Sequence, residues 1–407
     1  MRKILERVSA GILAFMLTSV AVYADGEQSV KTSENQTGIY SVTGDVSAVP
    51  DILAESAIVV DMKTGYTLLE KNIYDKHYPA SITKIMTAIL TLEQAALEET
   101  VTFSEEAVFS IESGSSAAYV DVGEQLTVKQ CLYGLMLISG NDLANGLAEH
   151  VGGSMENFAV MMTDKAKSLG CINTNFTNAH GLHDENHYTC AYDMALIAKY
   201  AYENLEMFRT LCSTGYYECP PTNKQEEVRL WRNTNKLINE AQEQYYPDVI
   251  GGKTGYTNQA GGTLVTFANI NGRMLLCVVM KTTNSAAAYG DTTAWYEYIR
   301  NNITDTMYTA LDEKYEAEMN QTSVQPTEQN TEAATSSVNV TDNKNKEKSS
   351  TSEGMWIGWK IIILAVTVFI VYYIYVRYMR YKRRKLRMEQ RKQHRINREG
   401  RYERRPR

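Results

Sequence analysis

Between residues 51 and 314 the apolar positions follow two rhythms, and the change from one to the other marks out the fold. SAIVVDMKTGYTLLEKN (residues 56–72) gathers β-branched and aliphatic residues into two short blocks around Lys63-Thr64-Gly65, which predicts strand, turn, strand. PASITKIMTAILTLEQAA (79–96) is apolar nearly all round and predicts a buried helix. Thr127 and Gln130 have the spacing of a capping box and open a second helix, VKQCLYGLMLI. A third, DLANGLAEHVGG, stops on glycine. The helical pattern continues to about residue 210. Three strand-like runs follow: GGKTGYT (251–257), GGTLVTFANI (261–270) and RMLLCVVMKTT (273–283). Asn271-Gly272 joins the last two as a hairpin turn. Strands from both ends with helices between them predict an α/β chain of the α+β kind. The expected form is one antiparallel β-sheet flanked by helices, with a helical subdomain and no internal repeat.

The two ends read differently. Residues 1–24 carry Arg2, Lys3 and Arg7, then an apolar stretch, then Val22-Tyr23-Ala24 with small residues where signal peptidase reads. This predicts an export signal, an uncleaved anchor being the alternative. Residues 25–50 are polar and aperiodic, a flexible lead. Residues 315–354 are rich in Thr, Ser, Asn, Gln and Glu and predict a disordered stalk. MWIGWKIIILAVTVFIVYYIYV (355–376) has the length of a single transmembrane helix, with Trp and Tyr near its two ends. Residues 377–407 hold 15 Lys and Arg against 3 Glu. Positive flanks stay in the cytosol, so the expectation is a cell-membrane protein with residues 25–354 outside and a basic cytoplasmic tail.

Charge and cysteine usage narrow the classes. Without its tail the chain has a net charge of −19, which argues against nucleic acid as a ligand. Six cysteines all fall in the exported part, which permits disulfides. Cys212 and Cys219 bracket a short loop and are the one candidate pair; the reduced form is expected.

The candidate chemistry begins inside the first buried helix. Ser81 and Lys84 lie three residues apart, hence on one face. Burial of a lysine favours its neutral form, and a serine needs a neighbouring base to attack a carbonyl at neutral pH. Ser139-Gly140-Asn141 sits at the break between the next two helices. Lys-Thr-Gly occurs twice. At Lys63-Thr64-Gly65 it makes a hairpin corner, with Lys63 expected to point at water. At Lys253-Thr254-Gly255 it is embedded in glycines that allow a ligand close to a strand.

The order S-x-x-K, S-x-N, K-T-G resembles the penicillin-binding protein and serine β-lactamase superfamily. In detail the chain resembles the low-molecular-weight D-alanyl-D-alanine carboxypeptidases. The shared residues are Pro79 to Lys84, Ser139 to Asn141, His180-Gly181-Leu182, His187-Tyr188, Asn233 to Asn235 and Lys253 to Gly255. The resemblance covers about residues 50–300 and implies a transpeptidase-like fold over residues 51–314. It implies Ser81 as nucleophile, Lys84 as general base, Ser139 as proton relay and Asn141 as holder of the substrate backbone. Lys253 and Thr254 would bind the terminal carboxylate, and the N–H groups of Ser81 and Tyr256 would form the oxyanion hole, with Gly255 between. It further implies a peptidoglycan stem peptide ending in D-Ala-D-Ala as substrate, β-lactam antibiotics as acylating agents, and no cofactor or metal. The chain departs from many relatives in having a stalk and a spanning helix where they carry a β-rich second domain and an amphipathic helix. Three alternatives stand beside this reading. His180, His183 and His187 could form a zinc cluster, although their spacing is not H-E-x-x-H. A non-catalytic receptor for β-lactam or wall peptide would keep the same groups. A β-lactamase would need a further carboxylate, and no E-x-x-L-N-like segment occurs between Asn141 and Lys253.

Overall fold

A computed structural model of the chain describes residues 49–323. The signal segment, most of the polar lead, the stalk beyond Ser323, the apolar run 355–376 and the basic tail lie outside the described residues. Among the described residues no helix is long and apolar enough to cross a membrane.

The sheet is antiparallel throughout, in the order β2-β1-β9-β8-β7. Its strands are β1 (Ser56–Asp61), β2 (Thr67–Lys71), β7 (Val249–Thr257), β8 (Gly261–Ile270) and β9 (Arg273–Thr282). β1 joins the late hairpins by pairing with β9, Val59 opposite Cys277. Chain order is thereby closed into one sheet across more than two hundred residues, which only long-range pairing achieves. Asn271 and Gly272 both take positive φ, the backbone that a two-residue hairpin needs.

The strands are buried on both faces, and the period-two alternation divides their side chains between two cores. Ile58, Val60, Val265, Phe267, Leu276 and Val278 face the helical body. Ala57, Val59, Leu264, Ala268, Leu275 and Val279 face the C-terminal helices. The helical body comprises α1 (Lys84–Gln94), the short α2 (Glu105–Phe109), α3 (Val128–Leu137), α4 (Asn141–Gly152), α5 (Met155–Ser168), α6 (Ala191–Asn204) and α7 (Glu206–Ser213). The predicted capping box is present in full at Thr127 and Gln130. Two small sheets decorate this body: β3 (Thr100–Thr102) with β4 (Gln125–Thr127), and β5 (Tyr216–Cys219) with β6 (Arg229–Arg232). The second stacks Tyr217 on Tyr133 of α3, ring centroids 4.0 Å apart. Neither small sheet was legible in the apolar pattern. All six cysteines are free thiols, Cys212 and Cys219 included.

Two expectations require correction here. PASITKIMTAILTLEQAA is not one helix: Ala80–Thr83 form a 3₁₀ turn, and α1 begins at Lys84. The second concerns the stalk. On the far face α8 (Ser285–Asn302) is followed by α9 (Asp305–Ser323), so residues 315–323 are helical. α9 docks on the first Lys-Thr-Gly corner. Lys63 does not simply point at water but pairs with Asp312 at 2.5 Å. The Tyr66 hydroxyl donates to Glu318 and its ring meets Tyr315 edge-on. Leu311 and Met307 anchor the first half of this helix in the core. Residues 315–323, poor in large apolar residues, hid its second half, which Tyr315 and Glu318 hold against Tyr66.

Candidate active site

The 3₁₀ turn places Ser81 against β7. Its start is pinned by Thr263 of β8, whose hydroxyl donates to the Pro79 carbonyl at 2.9 Å. Ala80 then takes φ of +51°, in the left-handed region where a non-glycine residue is strained. Gly255 is the complement on β7: a Cβ there would stand 2.8 Å from the Ser81 nitrogen and 2.3 Å from Thr263 Oγ1. Any side chain at 255 would push the serine off the strand, so this glycine is dictated by close approach.

Lys84 opens α1 and is fully buried. Its Nζ lies 3.1 Å from Ser81 Oγ, 2.7 Å from Asn141 Oδ1 and 2.6 Å from the His180 carbonyl. Burial is the largest influence on this amine, with the Lys253 cation second, and together they hold its pKa well below that of a free lysine. A neutral amine has two N–H bonds and one lone pair. Asn141 Oδ1 and the His180 carbonyl can only accept, so they take both N–H bonds and the lone pair is left facing Ser81 Oγ.

Ser139 and Asn141 come from the α3–α4 junction. Ser139 has φ of +61°, and Asn141 N donates to the Ser116 carbonyl at 2.9 Å. Next to it, buried Asp142 accepts from the backbone N–H groups of Ala118 and Val120. The loop carrying Ser115 and Ser116 is thereby fixed along the rim. Ser139 Oγ accepts from Lys253 Nζ at 3.2 Å, and the same ammonium donates to the Thr254 carbonyl at 3.0 Å. Lys253 is buried and burial lowers its pKa to about 7. All the predicted site residues therefore converge. Ser81, Lys84 and Asn141 form one linked set, Ser139, Lys253 and Thr254 form the other, and Gly255 and Tyr256 complete the wall.

A cleft of ≈ 480 Å³ opens over both sets, lined by Ser81, Ser139, Asn141, Thr254, Gly255 and Tyr256 together with Thr234, Lys236 and Tyr289. Thr234, inside the shared run Asn233 to Asn235, has no role implied by the resemblance, yet its hydroxyl lies 2.8 Å from that of Thr254. The histidines serve as scaffold. Thr177 N donates to His187 Nδ1 at 3.0 Å, which leaves the proton on Nε2, 2.8 Å from Thr83 Oγ1. Burial lowers the His187 pKa to about 3, so the ring stays neutral. His183 instead meets the Tyr78 ring edge-on. Among the described residues, no group of His, Cys, Asp and Glu is arranged to hold a metal ion.

Residues 43–284 match the family model described as D-alanyl-D-alanine carboxypeptidase. The chain belongs to that family. It is 38% identical over 234 residues to D-alanyl-D-alanine carboxypeptidase DacF of Bacillus subtilis (strain 168), covering 56% of this chain and 57% of that protein. It is 33% identical over 275 residues to DacA of Haemophilus influenzae, covering 66% and 64% respectively. The chain thus spans less than two thirds of the length of these relatives. Among solved structures it is similar to the Streptomyces K15 DD-transpeptidase, with TM-score 0.57 and 31% identity, covering 62% of this chain and 98% of that one. A D-alanyl-D-alanine carboxypeptidase from Mycobacterium tuberculosis H37Rv gives the same TM-score at 29% identity, covering 62% and 93%.

Proposed function

We propose that this protein is a serine-type D-alanyl-D-alanine carboxypeptidase that removes the terminal D-alanine from peptidoglycan stem peptides. The observation that carries the proposal is the contact between Ser81 Oγ and Lys84 Nζ at 3.1 Å, with both N–H bonds of a neutral Lys84 already committed to acceptors. Lys84 takes the Ser81 proton as Oγ attacks the carbonyl of the penultimate residue. The Ser81 and Tyr256 N–H groups receive the developing oxyanion. Ser139, held by Lys253, relays the proton that Lys84 took from Ser81 to the departing amine, so that Lys84 is neutral again as D-alanine leaves. Asn141 orients the peptide backbone with the amide N–H groups that Lys84 does not engage. Thr254 receives the terminal carboxylate, with Lys253 supporting it from behind the wall. Water then releases the acyl group by hydrolysis. None of these steps calls for a metal or cofactor.

β-Lactams carry a comparable carboxylate and a strained amide, and would acylate Ser81 without prompt release. Family membership and the solved DD-transpeptidase likeness support this reading; no feature of the site favours a receptor over an enzyme. The placement we propose rests on the sequence: export through residues 1–24, a single span at 355–376, the catalytic domain outside the cell and the basic tail inside. The acidic exported part supports the absence of nucleic acid among its partners. Mass spectrometry of the full-length protein after treatment with a penicillin tests the nucleophile. One adduct on the peptide containing Ser81, absent from Ser81→Ala, is expected; an adduct on another residue would exclude the mechanism.

A further inference from the structure

The walls of the cleft carry no Asp, Glu or Arg, and among the described residues Lys236 is the one charged side chain that lines it. Lys84 and Lys253 sit behind the wall, buried and committed to Ser81, Asn141 and Ser139. Lys236 is different: it is exposed, and no hydrogen bond or ion pair of its ammonium is found among the described residues.

Its backbone is fixed beside Thr254. Thr234 Oγ1 lies 2.8 Å from Thr254 Oγ1. The Tyr289 hydroxyl donates to the Thr234 carbonyl at 3.1 Å and accepts from Lys236 N at 3.4 Å. Asn235 caps the short turn that Lys236 opens. A flexible lysine stem thus leaves a rigid base on the wall that also presents Thr254. A substrate's terminal carboxylate lies one residue beyond the scissile carbonyl, about 3.5 Å along an extended chain from Ser81. It needs a cation with free N–H donors. Lys253 has two of its three donors committed, whereas Lys236 keeps all of its own.

We propose that Lys236 is a specificity-determining residue that receives the terminal carboxylate of the peptide beside Thr254, and so restricts the site to free chain ends. This rests on the carboxypeptidase reading and adds to it the group that would make the enzyme an exopeptidase.

The test compares two substrates of the full-length protein: a peptide ending in D-Ala-D-Ala, and the same peptide with its terminal carboxylate converted to carboxamide. Release of D-alanine or D-alaninamide gives kcat/KM for each. In Lys236→Gln the acid-to-amide ratio should fall about fivefold, the size an exposed ion pair reaches. Lys236→Arg should restore it, and the effect should fade as salt is raised. An unchanged ratio in Lys236→Gln, whatever happens to the separate rates, overturns the proposal. If the wild-type protein cleaves neither peptide, the carboxypeptidase reading falls instead. Acylation by a penicillin and by its methyl ester then supplies the same contrast: a ratio lowered in Lys236→Gln supports the proposal, and an unchanged one overturns it.

Discussion

Lys84 Nζ and Asn141 Oδ1 are 2.7 Å apart, inside the protein, across 57 positions of sequence. The contact does more than hold the two helices together, because an amide oxygen accepts a proton's hydrogen bond without adding charge. Asn141→Asp would replace that neutral acceptor with a carboxylate and favour the protonated amine. Acylation of Ser81 by a labelled penicillin should fall by about a hundredfold at neutral pH, the lower range for losing a general base. It should recover partly in alkaline buffer. Equal rates for Asn and Asp at position 141 would show that Lys84 is not the base.

Lys253 acts on the same amine from a distance. Its cation is the second influence that lowers the Lys84 pKa, after burial. Lys253→Met removes a positive charge, so protonated Lys84 becomes less unfavourable and its pKa rises. The acid limb of the acylation rate must then move to higher pH, whatever the loss in overall rate. A limb that stays in place or moves down would contradict the assignment.

Gly181 faces the turn that carries Ser81. Its φ is +86°, and a Cβ there would stand 1.8 Å from the Ala80 carbonyl oxygen, which cannot yield without shifting Ser81. Gly153 has φ of +70° with open space around it. Both alanine variants should lose about 1 kcal/mol or more of stability from backbone strain. Gly181→Ala alone should also lose Ser81 acylation. Thermal unfolding beside acylation rates separates the two effects, and a fully active Gly181→Ala would refute the close packing.

The C-terminal clasp makes a prediction about stability. Arg273 reaches Asp61 through Nε at 3.0 Å and Nη2 at 2.5 Å, and reaches Asp312 of α9 through Nη1 at 3.1 Å. Asp61 is fully buried. Arg273→Met would leave that carboxylate without its cation, at a cost of about 3–5 kcal/mol. Asp312 is partly exposed, so Asp312→Asn should cost only about 1 kcal/mol. Denaturant unfolding that gives the two variants similar losses would place the anchor elsewhere.

What the sequence revealed and hid follows from the range of each interaction. Ser81 and Lys84 were legible because three-residue spacing fixes their shared face, and the late strands because their apolar runs end in Asn271-Gly272. The Thr234–Thr254 pair, the hold of His187 on Thr83 and the Arg273–Asp61 clasp join positions 20, 104 and 212 residues apart. No local pattern encodes such pairs. The left-handed backbone at Ala80 and Ser139 was equally hidden, since neither residue is a glycine that would announce it.

The central claim is that Ser81, activated by Lys84, removes a terminal D-alanine. Release of D-alanine from a peptide ending in D-Ala-D-Ala tests it directly, with the full-length protein measured beside Ser81→Ala. Release by the wild-type protein that disappears in the variant is the predicted result. Continued release by Ser81→Ala, or acylation at Ser81 by a penicillin with no release from the peptide, would contradict it.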